Sequence, residues 1–409
     1  MNILLISYLF PPVNNPQGVL SSRLAKYLRK AGHTPVVLAG TQEGSFNSDH
    51  GVDEALLQDL QGIEICYIQD RKLQGPFIRF KEKAIYHEHY RFWVNRLLRE
   101  ALPLCRRNSI EIIYSLSAPL ISNVAGRQLK RKTGIPWVAH FSDPINLALH
   151  KRFKSPLRTY LTYAYEKTLL DQADGITFVN EETLLRCTNF HPVFREKSRV
   201  VPHFYDPEYF PVNVAPRPES STLRLSYVGS LYARRNPFDV VRAIEIAAVR
   251  TGVKGKKIEL HLYGAIDPAI RKALDCEQTP RVRVHGSVEY RGSIQAMHDS
   301  DFLLLIDMPD QDNLYTPSKL IDYLASYRPI IGVTALTSSS ARILCELGYP
   351  VFAPGDIEGL SQYFCELSNG TPPEITGQHC QKVADFRADF VVDKLVKFFG
   401  DQLTSQSKG

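Results

Sequence analysis

The chain has 409 residues, 44% hydrophobic and 22% charged, with a formal net charge of +6. That length and composition favour two globular domains with separate cores over one, and no apolar run approaches the roughly 18 residues needed to span a bilayer. The seven cysteines (Cys66, Cys105, Cys187, Cys276, Cys345, Cys365 and Cys380) are scattered, with no CxxC pair and no histidine cluster beside them, which argues against a disulfide framework and against structural zinc.

Short apolar runs alternate with amphipathic stretches from the first residue onward. NILLIS (residues 2–7) reads as a strand buried on both faces. A loop with Pro11, Pro12, Pro16 and Gly18 follows, then a helix signalled by Leu20, Leu24, Tyr27, Leu28 and Ala31 and stopped by Gly32. The start MNILLISYLFPP has neither a charged leader nor a small-residue cleavage site, so a cytoplasmic location is expected. TPVVLA (34–39), IEICYI (63–68), EIIYS (111–115), PWVAH (136–140) and GITFV (175–179) supply further strands of one parallel sheet.

Residues 71–107 hold ten Lys or Arg against three Glu, so the net positive charge is concentrated in one segment. Phe77, Phe80, Tyr86, Tyr90, Phe92 and Trp93 lie among those cations. The combination suits an anionic membrane surface, with basic groups at headgroups and rings at the interface. A solvated helix with its aromatics in the core is the simpler alternative. Nucleic acid is not expected as a partner, because no helix-turn-helix, zinc or RNP motif accompanies the charge.

The polar, proline-rich stretch PVNVAPRPESST (211–222) interrupts the pattern and reads as a linker. The expected organisation is an N-terminal domain over 1–205, a linker over 206–222, a C-terminal domain over 223–385, and a terminal helix and tail over 386–409. Beyond the linker, LRLSYV (223–228), IELHLY (258–263), VRV (282–284), FLLLI (302–306) and PIIGV (329–333) form a second parallel sheet. FVVDKLVKFF (390–399) is an amphipathic helix. The fold class is therefore α/β, two doubly wound parallel-sheet domains, expected to face each other across a cleft at the carboxyl ends of their strands.

Three places carry chemistry. In YVGSLYARRNPFDVV (227–241) a strand ends at a Gly229 turn followed by Ser230, Arg234 and Arg235, and a helix capped by Asn236 begins at Pro237. Two arginines beside backbone that can approach closely suit a departing diphosphate. In DNLYTPSKLIDYLASYRPIIGV (312–333), Thr316, Pro317 and Ser318 open a helix whose amides suit a phosphate, with Lys319 alongside. Asp322, one turn on, suits ribose hydroxyls. Lys319 as a solvated charge and Asp322 as a first-turn acid are the plainer readings. In the first domain, WVAHFSDP (137–144) puts His140 and Asp143 at a strand end, where active-site groups of open sheets gather, and Gly18 allows close approach to the first helix.

At these residues the chain resembles the GT-B superfamily of retaining glycosyltransferases, and within it the family-four type that builds bacterial polysaccharides and glycolipids. The likeness runs from the opening strand through GIPWVAHFSDP (134–144), ADGITFVNEET (173–183), VVPHFYDPEYF (200–210), YVGSLYARRNP (227–237), LHLYG (260–264) and VRVHGSV (282–288) to TPSKLIDYLASYRPII (316–331). The resemblance implies two Rossmann-like domains, a nucleotide-sugar donor, a lipid-linked or oligosaccharide acceptor, and retention of configuration with no metal or other cofactor. It implies that Arg235 stands at the family's phosphate-binding lysine and that Ser230 replaces the arginine usual there; compensation by Arg234 is inferred from its place beside Arg235, not from the resemblance. Asp322 matches the second of a pair of glutamates and Leu314 replaces the first, whose sugar contact is either missing or supplied elsewhere, by Asp310 or Asp312. Gly264, Gly286, Ser287 and Val288 match loops lining the nucleotide pocket, and His140 and Asp143 the acceptor side. Sugar-nucleotide epimerases and catalytically silent sugar-nucleotide-binding scaffolds share the fold and are the competing readings.

Overall fold

The computed structural model describes all residues except 43–50, 71–90, 118, 143–155, 191, 211–219, 233, 253–254, 277–278, 310–313, 371–376 and 407–409. The chain divides into two compact units. The first comprises Met1–His203 together with Ala388–Gly409, and the second comprises Phe204–Arg387.

In the first unit seven strands run parallel: β1 (Asn2–Ser7), β2 (Thr34–Gly40), β3 (Glu64–Ile68), β4 (Ile112–Leu116), β5 (Trp137–Phe141), β6 (Gly175–Phe178) and β7 (Ser198–Val200). Their order in the sheet is β3-β2-β1-β4-β5-β6-β7. The first six positions of that order are those of a doubly wound dinucleotide-binding sheet, with its switch point between β1 and β4. Ile3, Leu4, Leu5 and Ile6 are all fully buried, as strands covered on both faces must be. The first helix, Pro16–Lys30, starts where the Asn15 side chain accepts from the Gln17 amide, with Pro16 leading the first turn.

Trp93 on the helix Arg91–Arg107 is fully buried. Its ring meets Tyr8 edge-on at 5.0 Å, and its indole N–H donates to the Ile68 carbonyl at 3.2 Å. Of the rings that the sequence places among cations, this one belongs to the core and not to an interface. Val94, Leu97, Leu98, Ala101 and Leu104 share the buried face of that helix, a 3.6-residue stripe beneath the charge run. The basic residues at 71–90 lie outside the described residues.

The terminal helix, Ala388–Gln406, packs on this first unit, against the helix Pro16–Lys30. Phe399 is fully buried and meets Tyr114 edge-on at 5.1 Å. Phe398 covers Gly175 so closely that a Cβ there would lie 2.8 Å from its ring.

The second unit holds six parallel strands: β8 (Thr222–Val228), β9 (Lys257–Tyr263), β10 (Val282–Gly286), β11 (Phe302–Ile306), β12 (Ile330–Val333) and β13 (Val351–Phe352). Their order is β10-β9-β8-β11-β12-β13, the same winding repeated, with its switch point between β8 and β11. Residues 204–210, which span the end of the expected N-terminal domain and the start of the expected linker, are folded into this unit. Phe204, Tyr205 and Phe210 are buried, Tyr205 meets Phe210 edge-on at 5.9 Å, and Asp206 is fully buried. The rest of the expected linker up to 219 lies outside the described residues. Each unit has its own apolar core, one around Trp93, Trp137 and Phe141, the other around Tyr227, Leu304 and Phe364.

Candidate functional site

Three glycine turns lie side by side at the carboxyl ends of β8, β9 and β10. The Gly229 amide donates to the Tyr263 carbonyl at 2.8 Å, and the Gly264 amide donates to the Gly286 carbonyl at 2.7 Å. Gly264 has φ +120°, and a Cβ on it would lie 2.4 Å from the Gly229 carbonyl oxygen. No other residue fits there, because the obstacle is backbone. The two turns expected to line a nucleotide pocket are thus locked to the turn expected to meet a diphosphate.

The helix Ser318–Ala325 delivers Lys319 to the Gly229 turn. The Lys319 ammonium donates to the Tyr227 hydroxyl at 2.5 Å, stands 3.8 Å from the centre of that ring, and would be 2.8 Å from a Cβ on Gly229. Tyr323 fixes this helix to β8, since its hydroxyl accepts from the Val228 amide at 2.7 Å and donates to the Val228 carbonyl at 3.2 Å. Burial, reinforced by the nearby Arg235 guanidinium, pushes the Lys319 ammonium well below the usual lysine range, and Asp307 offsets part of that.

Arg235 reaches the same place from the loop after Gly229. Its guanidinium pairs with Asp307 Oδ1 at 2.6 Å and donates to the Tyr232 hydroxyl at 3.1 Å. Asp307, at the end of β11, is wholly buried, and it also accepts from the Met308 amide at 2.8 Å and the Ser340 hydroxyl at 3.0 Å. Burial disfavours the Arg235 charge, yet Asp307, with Tyr232 and Tyr227, raises its pKa above the usual arginine value. The Arg235 Nε is buried without a hydrogen-bond partner among the described residues.

Thr316 is buried with its hydroxyl 3.0 Å from that of Ser339, and Pro317 precedes the first helical residue, Ser318. Asp322 is buried on the same helix. The helix after Arg235 runs over Phe238–Thr251. It begins one residue later than the sequence suggests, with Asn236 Oδ1 accepting from the Phe238 amide at 3.2 Å. The structure therefore brings Gly229, Gly264, Gly286, Arg235 and Lys319 together. Ser230, Arg234 and Ser287 are exposed, and Val288 is half-buried just beyond β10. Asp310 and Asp312 lie outside the described residues. Asp307, Tyr227, Tyr232 and Ser340 complete the cluster and were not singled out from the sequence.

In the first unit His140 ends β5, 6% exposed, with Nδ1 2.9 Å from the Thr177 hydroxyl, which in turn lies 2.9 Å from the Tyr114 hydroxyl. Burial, helped by His203, pushes the His140 imidazole down to about 3, so the ring is neutral at physiological pH and a weak base. Gly18, expected in the loop before the first helix, instead lies in that helix's first turn, because the cap falls at Asn15, and a Cβ on it would be 3.1 Å from the Val13 carbonyl oxygen. Asp143 lies outside the described residues. Among the described residues no group of three His, Cys, Asp or Glu is placed to hold a metal ion, and no helix is long and apolar enough to cross a membrane.

Residues 17–203 match the family described as a glycosyl transferase 4-like domain. Solved structures align over almost the whole chain. Sucrose-phosphate synthase from Thermosynechococcus elongatus aligns at TM-score 0.70, with 16% identity over 99% of this chain and 100% of that one. HepE from Anabaena, solved with UDP and glucose, aligns at 0.66 with 14% identity over 98% and 100%. TarM from S. aureus, solved as a mutant with fondaparinux, alpha-GlcNAc-glycerol and UDP, aligns at 0.67 with 10% identity over 98% and 100%. The chain has the GT-B glycosyltransferase fold. No curated protein sequence matches it significantly. The matched residues 17–203 lie in the first unit, and the Gly229 cluster lies wholly in the second.

Proposed function

We propose that this protein is a retaining glycosyltransferase that moves a sugar from a nucleoside diphosphate sugar to a saccharide acceptor, lipid-linked, in the building of a polysaccharide or glycolipid. The observation that carries the reading is the Gly229 turn, where two cations converge on close-packed backbone at a strand end. The solved neighbours with UDP support it. In the step envisaged, the acceptor hydroxyl oxygen forms a bond to the anomeric carbon as the bond to the diphosphate oxygen breaks. The electron pair leaves with the diphosphate, and the hydroxyl proton passes to a diphosphate oxygen. Protein cations, not a metal ion, take up the developing charge. Gly286, Ser287 and Val288 are assigned to the nucleobase, Asp322 to the ribose, Thr316, Pro317 and Ser318 to phosphate through their backbone, and the His140 strand end to the acceptor.

A thermal-shift panel of UDP, GDP, ADP, dTDP and CMP tests the donor reading. One diphosphate is expected to raise the melting temperature selectively, because a ligand that binds only the folded state stabilises it. Its sugar conjugates should then turn over in the presence of EDTA, giving a product with the donor's anomeric configuration. Selective binding without transfer would favour an epimerase or a silent scaffold, and an inverted product would exclude retention.

The basic segment 71–107 is assigned to anionic lipid, which would bring the enzyme to its acceptor. Replacing Lys81, Lys83 and Arg91 with Glu should release the protein from phosphatidylserine vesicles at low salt. Unchanged sedimentation with vesicles would rule the assignment out.

A further inference from the structure

We propose that Lys319 is the group that captures the donor's diphosphate, and that it takes up a proton as the nucleotide binds. The inference rests on the nucleotide-sugar reading above and divides the work between its two cations. Arg235 is already committed. Its charge is matched by the wholly buried Asp307 carboxylate at 2.6 Å, which is itself fixed by the Met308 amide and the Ser340 hydroxyl. Lys319 makes no ion pair among the described residues, and its hydrogen bond goes to a neutral phenol, Tyr227. The Lys319 Nζ lies 2.8 Å from where a Cβ on Gly229 would stand, so it faces backbone that has no side chain to shield it.

The charged and titratable groups around Lys319 come from each neighbouring element. Tyr227 comes from β8, Arg235 from the loop after it and Asp307 from the end of β11, while Tyr323 on its own helix turns its hydroxyl to the Val228 backbone. Burial and Arg235 together outweigh Asp307, so the free site holds the lysine proton weakly. An anion arriving at hydrogen-bond distance reverses that balance, since an adjacent opposite charge favours the charged form. Lysine is the cation whose protonation responds most readily to such changes, whereas arginine keeps its proton throughout. Binding therefore restores the Lys319 pKa toward the ordinary range. The sign follows: affinity is fully present below the free-site pKa, falls as pH rises between the free and the bound values, and is flat above the bound one.

Calorimetric titration of the full chain with UDP and with inorganic pyrophosphate, in buffers of differing ionisation enthalpy, tests this. The terminal phosphate of UDP titrates near about pH 6 and its uracil N–H only toward about pH 9.5, so proton uptake is read with UDP between about pH 7.5 and 8.5, and pyrophosphate, whose last proton leaves in the alkaline range, reports affinity alone. Wild type is expected to take up a net fraction of a proton on binding, with affinity falling by up to about tenfold per pH unit inside the window. Lys319→Met should bind roughly ten- to a hundredfold more weakly and take up none. Lys319→Arg should bind within a few-fold of wild type, with no uptake and a flat pH profile. That variant keeps the test decisive if Lys319→Met fails to fold, as judged by its circular-dichroism melt. Wild-type binding without proton uptake, uptake that persists in Lys319→Arg, or a folded Lys319→Met that binds like wild type would each overturn the inference and leave the nucleotide reading standing. Failure of wild type to bind either probe would overturn both.

Discussion

Arg235→Ala is expected to lower turnover with the donor by about a hundred- to a thousandfold, about 3–4 kcal/mol of transition-state stabilisation, while the donor's KM moves less than about tenfold. The reason is preorganisation. The guanidinium is held before any ligand arrives, by Asp307 on one side and by Tyr232 on the other, whose ring also lies 5.5 Å beneath it. A donor fixed in advance has little reorganisation to undergo as charge develops on the leaving diphosphate. Ground-state capture, on the reading developed above, falls to Lys319. Steady-state kinetics on the purified variant would show kcat and kcat/KM falling together. Equal losses in turnover and in donor affinity would instead make Arg235 a ground-state binder and leave the leaving group to other donors.

Much of the architecture was legible because parallel strands covered on both faces must be apolar runs. FLLLI at 302–306 is a strand over its whole length, and every one of its residues is buried. The two strands that went unread, Ser198–Val200 and Val351–Phe352, have three and two residues, too few for any periodicity to register. Trp93 was ambiguous because the same helix carries both an apolar stripe and a charge run, and only packing decides which of them a ring joins. At the site, the Gly229 turn and the Thr316 helix start were readable as local patterns. The Arg235–Asp307 pair was not, since its members are 72 residues apart and a single acid after an apolar strand carries no spacing signal. What β8 and β11 do side by side, placing that acid under the arginine of the neighbouring loop, is a property of strand order. His140 shows the converse case. Its strand-end position was visible, but its neutral state depends on burial and on His203, neither of which a sequence displays.

Asp307→Ala should cost more stability than any other single change in the second unit's polar cluster, on the order of 3–5 kcal/mol, because it leaves a largely buried guanidinium without its counter-charge. Arg235 is only 13% exposed at its side chain, so water cannot take the carboxylate's place without opening the loop. The Met308 amide and the Ser340 hydroxyl lose their acceptor in the same step. For a unit of this size that corresponds to a fall in melting temperature on the order of 10 °C, readable by scanning calorimetry. The double variant Arg235→Ala with Asp307→Ala tests the cause. Removing both charges removes the unmatched cation, so the double variant is expected to be more stable than Asp307→Ala alone, with strong coupling in the cycle. Additive losses would mean that Asp307 supports the fold through Met308 and Ser340 by themselves. The position of Arg235 would then have to come from Tyr232 and the loop backbone, and the preorganisation argued for its role in turnover would lose its foundation.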